Sequence, residues 1–568
     1  MNYNSTIKSV PAFGGIISKT KKQSDDNPLV NQIYNNESLQ LFTCNAPKEN
    51  NYYILNEGHF LWFGGTTKTS EIHSFDIFKN DDKFIQLKFD KDKIQLFTDH
   101  YSKIPLFYIQ NDDSFVFSSS LELLRILNPT KTLEFSDDGL LFYYNFGFAD
   151  YKNFLVKGVN SAPGGQELTY AIPTGKLTQI TYHNIFDVKS YANNSNTLKQ
   201  NVKQIDEVLL KATKKTLQGF NSIGIALSGG VDSGYLAQKI HECNRDFKAY
   251  TLGFKDDYNE FERIDYLSNK LDFKVQKIRI SPEDIINNYL DVVERSSFPV
   301  GFNNSILNII YKEANSDGIE LMFDGDGADR LFLGMNKYVQ LQKILQLYKR
   351  SKKTGMHKVM AALLNGIGHP TTKKLSFYFQ KFNEGIPFYG ERKLANNQSF
   401  VKAYEAKIND MALPEELKLM SNRIDDWLFF SLFSVYYTPS FFFHTPYELQ
   451  LCHNMVSNPQ FWSDDMVDLA LSIPVDQKLH KKTTKKVLRE AAKLKIDDGY
   501  WNLSKIGLQN SYHYMRNSQK GSTFINDHIS SIKTSDMYAC LKEHVPQKDI
   551  DAERLLPFYI WKKTLFDT

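Results

Sequence analysis

A Gly- and Ser-rich turn is the part of the chain whose residue types best suit the binding of a phosphate group. It follows the apolar run IGIAL, residues 223–227, and its members are Ser228, Gly229, Gly230, Val231, Asp232 and Ser233. Glycines let the backbone approach an anion, serine hydroxyls donate hydrogen bonds, and the helix pattern that follows offers the positive end of its dipole. Asp232 suits a magnesium ion shared with phosphate, because hard cations prefer oxygen ligands.

Two well-known phosphate motifs do not describe this turn. The GKS or GKT ending of a P-loop is absent, and the GxGxxG spacing of a dinucleotide fingerprint is absent too. The alternative is an ordinary βα turn rich in glycine. Five fixed residue types in this order arise by chance on the order of once in a million positions, so ligand binding is favoured.

A second turn, rich in glycine and aspartate, follows another apolar run further along the chain. The run is LMF, residues 321–323, and the turn continues as DGDGADRLFLG to Gly334. Both turns stand where a strand pattern ends and a helix pattern begins. Because ligands of open α/β sheets bind outside the carboxyl ends of neighbouring strands, we expect the two turns to lie side by side.

The elements that must position these turns change in character along the chain. From about Leu39 to Tyr182, short segments such as HFLWFGG and SFVFSSS alternate with Asn, Asp and Gly turns, which predicts antiparallel sheets. From near Asn194, strand and helix patterns alternate, which predicts a doubly wound parallel sheet. Beyond Gly334 the patterns are mostly helical. We therefore predict an α/β protein with two domains, residues 1–192 and 193–568.

Composition excludes several classes of protein. The chain has 568 residues, 42% of them hydrophobic, a formal net charge of +3 and four cysteines without a CxxC pair. It is therefore neither a disordered chain nor a disulfide framework, no zinc site is indicated, and we expect no nucleic-acid partner. The first residues lack the basic and apolar regions of a secretory signal, so we expect a cytoplasmic protein.

One uncharged, aromatic-rich stretch, residues 427–447, is long enough to cross a bilayer. Serines, a histidine and two prolines interrupt it, and the prolines fit a buried helix followed by a break better than a membrane span. We therefore expect protein core or part of a substrate groove here, and no contact with a membrane.

The two turns resemble motifs of a known enzyme family. SGGVDS is similar to the SGGxDS pyrophosphate loop of ATP pyrophosphatases, and DGDGADRLFLG resembles the SGEGADELFGGY motif of asparagine synthetases. Asp324, Asp326 and Arg330 replace the Ser, the first Glu and the second Glu of that motif. Other stretches resemble the family in the same order: DHYSKIPLFYI at 99–109, FSSSLELL at 117–124, VKGVNSAPGGQEL at 156–168, TLGF at 251–254, NEFERIDYLSNKL at 259–271, MVDLALSIP at 466–474 and TKKVLREA at 484–491.

The resemblance implies a fold and a reaction. The fold is an αββα sandwich of the Ntn-hydrolase type, followed by a doubly wound ATP pyrophosphatase domain with a helical C-terminal portion. The reaction uses ATP and Mg²⁺ to adenylate a carboxylate, releases pyrophosphate and joins the acyl group to an amine.

The resemblance also implies roles for particular residues. Those that would bind ATP or its pyrophosphate are Ser228, Gly229, Gly230, Asp232, Ser233, Leu252, Gly253, Phe254 and Gly325, of which 252–254 would hold adenine. Asp232 and Asp329 would bind magnesium. Asp326 would act on the attacking amine, and Lys505 would stabilise charge on the α-phosphate. Lys485 and Arg489 are weaker candidates for phosphate contact, on one helix face.

The first predicted domain lacks the nucleophile that the family uses there. Glutaminase domains of the family hydrolyse glutamine with an N-terminal cysteine, whereas residue 2 here is Asn2. The AFGGIIS segment, which resembles the CGIxG pattern, begins with Ala12 and Phe13, and Cys44 is not terminal. We therefore expect a glutaminase shell that supplies no ammonia.

The substrate segment also departs from the family pattern. The usual LEVRxPFLD is here MVSNPQFWS, residues 455–463, so Val456 and Asn458 replace Glu and Arg. Members with an inactive first domain include β-lactam synthetases and lasso-peptide macrolactam synthetases, which use an amine already on the substrate. We favour a lasso-type cyclase for a peptide or amino-acid-derived substrate, working with a leader-binding protein and a protease. The alternatives are an asparagine synthetase using free ammonia, a β-lactam-synthetase-like cyclase and a non-catalytic ATP-binding descendant.

Overall fold

The computed structural model of the chain describes most of its 568 residues. The described residues are 11–18, 30–35, 39–44, 52–56, 58–63, 77, 82–111, 114–128, 133–187, 191, 194–255, 259–367, 369–383, 415–420, 425–503, 511–542 and 550–566. Asn2 and Lys505 lie outside them. We call residues 11–187 the sandwich region and residues 194–566 the parallel-sheet region.

Two antiparallel sheets of six strands each form the sandwich region, as the alternating segments predict. Their orders are β10-β8-β9-β1-β3-β2 and β12-β11-β7-β6-β5-β4. The strands are β1 (Ala12–Ser18), β2 (Val30–Asn35), β3 (Leu39–Cys44), β4 (Tyr52–Asn56), β5 (His59–Phe63), β6 (Phe84–Phe89), β7 (Lys93–Thr98), β8 (Phe107–Gln110), β9 (Ser114–Ser118), β10 (Asn160–Ser161), β11 (Gln166–Ala171) and β12 (Lys176–Thr181).

The two sheets face each other across a shared apolar core. Phe13 and Leu41 of the first sheet pack with Trp62 and Leu87 of the second, and all four are buried. The ring of Phe13 stacks on Trp62 with centroids 5.3 Å apart. Because side chains alternate along a strand, the other face of each sheet is left for different neighbours.

One outer face of this sandwich carries helices. Helix α1 (Leu121–Leu127) packs against β1 and β9, and α2 (Asp137–Phe146) joins the same apolar cluster. Each begins at a serine whose side chain accepts a backbone N–H of the first turn, Ser120 for α1 and Ser136 for α2. Among the described residues of the sandwich region these are the two α-helices, so the four-layer αββα arrangement stays a prediction.

A four-stranded parallel sheet confirms the βαβ pattern of the next region. Its strands are β13 (Ile223–Ala226), β14 (Lys248–Phe254), β15 (Lys274–Ile280) and β16 (Leu321–Phe323), in the order β15-β14-β13-β16. The chain therefore moves outward from β13 to β15 and then returns to the other side of β13 as β16. The crevice at such a reversal is where open α/β sheets bind ligands.

Helices pack on both faces of the parallel sheet. One face, which includes Ala249, shares its core with α3 (Leu198–Thr216), α4 (Val231–Glu242) and α5 (Phe261–Leu271). The other face, which includes Tyr250 and Leu252, packs with α6 (Pro282–Val293) and α7 (Asn303–Ser316). This alternation explains why the strands read as nearly continuous apolar runs.

The remainder of the chain is helical, as predicted. Its helices are α8 (Ala328–Leu331), α9 (Asn336–Lys353), α10 (His357–Gly366), α11 (Pro370–Asn383), α12 (Glu415–Met420), α13 (Asp426–Phe442), α14 (His444–Cys452), α15 (Asp464–Ser472), α16 (Val475–Lys478), α17 (Lys486–Lys493), α18 (Asp498–Asn502), α19 (Ser511–Arg516), α20 (Gln519–Lys533), α21 (Asp536–Leu541) and α22 (Ala552–Phe566). The predicted boundary at 192/193 falls outside the described residues and stays a prediction.

The aromatic-rich stretch at 427–447 builds core between the two regions. Most of it lies in α13, where Phe433 and Tyr437 contact Phe148 of the sandwich region with ring centroids 6.3 and 5.0 Å apart. All three side chains are buried. Throughout the described ranges, no helix has both the length and the apolar character to span a membrane.

Candidate functional site

The Gly- and Ser-rich turn, residues 228–233, is called the phosphate turn, and the turn at residues 324–334 is called the acidic turn. The two turns lie against each other at the reversal of strand order. Strands β13 and β16 pair directly as parallel neighbours, so the turns after them share one edge of the sheet. Gly325 marks how closely they approach. A Cβ atom at Gly325 would lie 3.0 Å from the Cβ of Asp232 and 3.1 Å from the backbone nitrogen of Ser233. The structure therefore brings together the residues that the sequence predicts to bind pyrophosphate.

The phosphate turn needs glycine at one position and is held from behind by a tyrosine. Gly229 has φ +62°, and a Cβ there would lie 3.1 Å from the Cβ of Glu260, so a side chain at this position would be strained. The hydroxyl of Tyr500 donates to the carbonyl oxygens of Gly229 and Gly230 at 2.8 and 3.1 Å. Gly230 is the N-cap of α4 and has no side chain to cover the first-turn N–H groups, which suits an anion.

The two serines of the phosphate turn lie together. The backbone N–H of Ser228 donates to the Oγ of Ser233 at 3.1 Å, and the two hydroxyl oxygens are 3.2 Å apart. Ser233 belongs to the first turn of α4. Two hydroxyl groups therefore stand beside the helix N-terminus, where they can donate to phosphate oxygens.

A buried lysine bridges the two turns. The ammonium of Lys485 contacts the carboxylate of Asp232 and lies 2.6 Å from Oδ1 of Asp329. Gly334 makes room for this arrangement, because a Cβ there would lie 1.8 Å from the Asp329 oxygen and 2.0 Å from Cε of Lys485. The sequence ranks Lys485 as a weak candidate, whereas the structure places it at the centre of the site.

The same two carboxylates are the predicted magnesium ligands, and their placement fits a cation. Asp232 and Asp329 come from different turns yet converge on one ammonium group, so a positive charge sits between them. No group of three His, Cys, Asp or Glu residues suited to a metal ion occurs in the part of the chain that the structure describes. Two protein carboxylates suit magnesium that takes its other oxygen ligands from phosphate and water.

Asp326 occupies a buried and acidic position. Burial raises the pKa of its carboxyl group well above the ordinary value, and the charges of Asp324, Asp329 and Asp232 raise it further. Burial also raises the pKa of Asp324, whereas the charge of Lys83 and a hydrogen bond from the backbone N–H of Asp326 lower it. A carboxylate with a raised pKa is a better proton acceptor, so Asp326 suits the predicted task of taking a proton from an amine.

The predicted adenine-binding residues end strand β14, next to the phosphate turn. A Cβ atom at Gly253 would lie 2.8 Å from the ring of Phe261, so the backbone is closely covered. The side chains of Leu252 and Phe254 are buried, and Phe254 stacks on Tyr514 at 4.0 Å. These side chains are therefore core, which leaves only the backbone of this segment for the predicted adenine contact.

Lys505 and Arg489 are the remaining predicted residues. Lys505 lies outside the described residues, so its catalytic role stays a prediction. Arg489 donates from Nε to the carbonyl oxygen of Thr484 at 2.9 Å and thus supports the loop that carries Lys485. No local pattern in the sequence indicates Tyr500 or Lys83, because their contacts cross long distances along the chain.

The segment that replaces the family's substrate pattern runs beside β16. Val456 forms a parallel bridge with Leu321, and the side-chain amide of Asn458 donates to Oδ1 of Asp82 at 2.9 Å. Asp82 belongs to the sandwich region. The segment is therefore fixed between the two regions, and neither position offers the charge that the family pattern carries.

Comparison with known proteins agrees with the motifs. A family model described as asparagine synthase matches residues 204–547. Asparagine synthetase (glutamine-hydrolyzing) 1 of Bacillus subtilis strain 168 is 23% identical over 486 residues, 80% of this chain and 73% of that protein. A putative asparagine synthetase (glutamine-hydrolyzing) 1 of Methanocaldococcus jannaschii is 24% identical over 278 residues, 45% of each. A solved structure of the allosteric regulatory enzyme of purine biosynthesis shares 8% identity over 48% of this chain and 75% of its own, with a TM-score of 0.19, too low to support a common fold.

Proposed function

The chain belongs to the asparagine synthase family, whose model matches more than half of its length, and from this premise we propose an AMP-forming amide synthetase. Its asparagine synthetase relatives indicate a ligase. In the proposed reaction ATP adenylates a substrate carboxylate, and an amine of the same substrate then displaces AMP. We favour a macrolactam synthetase of the lasso-peptide type.

One observation carries this proposal. The phosphate turn and the acidic turn meet at the reversal of strand order, with Asp232 and Asp329 converging on one positive charge. This arrangement suits a pyrophosphate group bound by N–H and hydroxyl donors on one side and a cation on the other. Magnesium held by Asp232 and Asp329 would supply neutralising charge for that group.

The residues of the site can be assigned to the two steps. In the first step a carboxylate oxygen attacks the α-phosphorus, the bond to the bridging oxygen breaks, and pyrophosphate leaves while Ser228 and Ser233 donate to its oxygens. In the second step an amine attacks the acyl carbon and AMP leaves. Asp326 accepts the proton that the amine loses. Lys505 is predicted to stabilise charge on the α-phosphate.

The sandwich region gives no support for ammonia from glutamine. Ala12 begins β1, where the resemblance places the start of the glutaminase pattern. Cys44 lies opposite Ala12 on β3, but its side chain is buried, and a buried structural thiol is a poor nucleophile. An amine on the substrate, or free ammonia, fits this arrangement better.

The substrate segment supports a larger substrate than free aspartate. Val456 and Asn458 are uncharged, and Asn458 is already hydrogen-bonded to Asp82. A substrate segment without this charge pair should bind free aspartate weakly. We therefore favour a peptide or an amino-acid-derived substrate, with a leader-binding protein and a protease as partners of the cyclase.

The experiment incubates the full chain with MgATP and with synthetic peptides encoded beside its gene, and it quantifies AMP, pyrophosphate and peptide mass. We expect AMP and pyrophosphate in equal amounts and a product that has lost one water. AMP formation from aspartate and ammonium would instead identify an asparagine synthetase. MgATP binding without any AMP formation would indicate a non-catalytic descendant.

A further inference from the structure

Helices α9, α10 and α11 differ from the rest of the chain in their charge. Residues 336–383, which contain them, include ten lysines and arginines and no aspartate or glutamate. The formal net charge of the whole chain is only +3, so the remainder of the chain is net negative. Charge of one sign on consecutive helices attracts anions locally, even where the total charge is small. These three helices are therefore the part of the chain best suited to an anionic partner.

Helix α10 also presents a line of apolar side chains to solvent, which we call the apolar stripe. Its members are Met356, Val359, Leu363 and Ile367, and they are 52, 57, 62 and 65% exposed. Their spacing of three and four residues places them on one side of the helix, from its N-cap to its C-cap. Single exposed apolar residues are ordinary on a protein surface, but four along one helix side indicate a contact site.

Another side of α10 is packed against the protein, so the helix is held in place while the stripe stays exposed. Ala361 is buried in a cluster that also contains Tyr348 of α9 and Phe379 of α11. The hydroxyl of Ser376 on α11 donates to the carbonyl oxygen of Ala361 at 2.7 Å. A surface helix normally buries its apolar side, whereas α10 has a second one in solvent. The stripe is therefore an addition to what packing requires.

Exposed cations stand beside the beginning of the apolar stripe. Helix α9 ends with Lys352 and Lys353, and both side chains are exposed. A tight turn joins them to α10, because Gly355 has φ +72° and the backbone N–H of Met356 donates to the carbonyl oxygen of Ser351 at 2.9 Å. The turn fixes the basic end of α9 next to the first residue of the stripe.

The chemistry of this surface favours an anionic lipid over other anionic partners. Protein interfaces are enriched in Tyr, Trp and Arg and depleted in Lys, whereas nine of the ten cations here are lysines. Single-stranded RNA stacks its bases on aromatic rings, and none of the four side chains of the stripe is aromatic. A second copy of the chain would bring two surfaces of the same charge together.

We propose that α10 and the basic end of α9 form a docking surface for an anionic lipid membrane. The apolar stripe enters the boundary between headgroups and acyl chains, and the lysines stay at the level of the anionic headgroups. The contact is peripheral, and it uses a different part of the chain from residues 427–447, which build core. The inference does not rest on the proposed function, since lipid binding needs no reaction at the phosphate turn.

Sedimentation of the full chain with lipid vesicles tests this proposal. The vesicles contain either phosphatidylcholine alone or equal parts of phosphatidylcholine and phosphatidylglycerol. We expect binding to the mixed vesicles that falls as salt is added, and little binding to phosphatidylcholine alone. Lys352→Gln combined with Lys353→Gln should weaken binding about thirtyfold, and Val359→Ser combined with Leu363→Ser should weaken it about tenfold.

Two double variants elsewhere on the surface are the matched controls. Leu419→Ser combined with Leu494→Ser removes two apolar side chains that are 64 and 68% exposed. Lys199→Gln combined with Lys203→Gln removes two exposed cations of α3. Both controls should bind the mixed vesicles like the unmodified chain. Thermal melts should give the same Tm for all four variants, because every substituted side chain is exposed, so a loss of binding is not a loss of folding.

Several outcomes would overturn the proposal. Absence of binding to the mixed vesicles, or equal binding to both kinds of vesicle, would contradict an anionic lipid surface. Binding that the α9 and α10 variants leave unchanged would place the contact elsewhere. Tighter binding to single-stranded RNA or to polyglutamate than to the mixed vesicles would assign the surface to a nucleic acid or an acidic protein. Self-association that Leu363→Ser abolishes, measured by light scattering, would assign it to a second copy.

Discussion

The phosphate turn and the acidic turn end neighbouring strands, yet they are stabilised in different ways. The phosphate turn keeps the family pattern, and its serines bond within the turn itself. The acidic turn departs from the pattern, and its Asp329 pairs with Lys485, which comes from a remote part of the chain. The difference shows that one turn is stabilised by hydrogen bonds within itself, while the other depends on a partner that lies far away in the sequence.

We expect the largest effect from removal of the Asp232 carboxylate, which the phosphate turn contributes to the site shared by the two turns. Asp232→Ala should lower the rate of AMP formation about 10²- to 10³-fold, because a group that stabilises charge at the pyrophosphate is lost. The rate is measured with the peptide that serves as substrate for the unmodified chain. Steady-state AMP release measures it. Asp465→Ala, at an exposed surface pair with Lys211, is the control and should leave the rate unchanged. An unchanged rate in Asp232→Ala would contradict the assignment of the site.

The next effect concerns the shape of the acidic turn. Gly327 has φ +90°, and a Cβ there would lie 1.7 Å from Nε1 of the buried Trp462. Gly327→Ala should therefore lower the free energy of unfolding by about 3 kcal/mol, measured by denaturant titration. Gly366→Ala, where a Cβ meets nothing within 4 Å, should leave stability close to that of the unmodified chain. Equal stability of both variants would mean that the turn is not closed by Trp462.

Removal of Lys485, the lysine that bridges the two turns, tests how the negative charge of their carboxylates is offset. Lys485→Met leaves Asp232 and Asp329 facing each other, so in EDTA the free energy of unfolding should fall by about 2 kcal/mol. Added magnesium should recover much of this loss, because the two carboxylates then share a different cation. The exposed Lys482→Met is the control. A loss that magnesium does not reduce would argue against a cation site between the turns.

The smallest effect is a pH dependence at the boundary between the two regions. His100 has a carboxylate oxygen of Asp464 2.6 Å from Nδ1 and the carbonyl oxygen of Ile77 2.8 Å from Nε2, so both ring nitrogens face acceptors, which favours the doubly protonated ring. Burial lowers the pKa of His100, but the hydrogen bond and charge of Asp464 raise it more, with a smaller upward effect from Asp99. The net pKa is above 6.5.

The sign of this dependence follows from the raised pKa. The stabilisation is fully present below pH 6.5, the ordinary value, and is lost as the pH rises through the pKa of the folded state. The stacked His183, whose pKa burial lowers to about 4, stays neutral over this range. Melts from pH 6 to 9 should show a decline of about 1 kcal/mol that His100→Asn removes. An identical decline in His100→Asn would assign it to other groups.

Local patterns predicted both kinds of sheet and the meeting of the two turns. Alternation of apolar residues indicated the antiparallel sheets, and the βαβ rhythm indicated the parallel sheet. The turns were found because phosphate binding needs glycine and serine at the end of a strand, and two such strand ends must meet in a parallel sheet. Asp232, Asp329 and Gly325 therefore lie together as expected.

The remainder of the site depends on contacts between residues far apart in the chain. Lys485 directly precedes a short helix. Because other lysines stand on both sides of Lys485 in the sequence, the sequence does not show that its side chain is buried. Lys83 and Tyr500 follow no local pattern, because their partners lie in other elements of the fold. The aromatic run was ambiguous for the same reason, since only the packing of α13 on the sandwich region shows that it is core.

The most direct test of one ATP site built from both turns is a titration with α,β-methylene-ATP, which binds without turnover. The full chain, Asp232→Asn and Asp329→Asn are titrated with and without magnesium in a calorimeter. We expect binding that requires magnesium and that both substitutions weaken strongly, since one carboxylate comes from each turn. Binding that is independent of magnesium, or that Asp329→Asn leaves unchanged, would contradict a single site shared by the two turns.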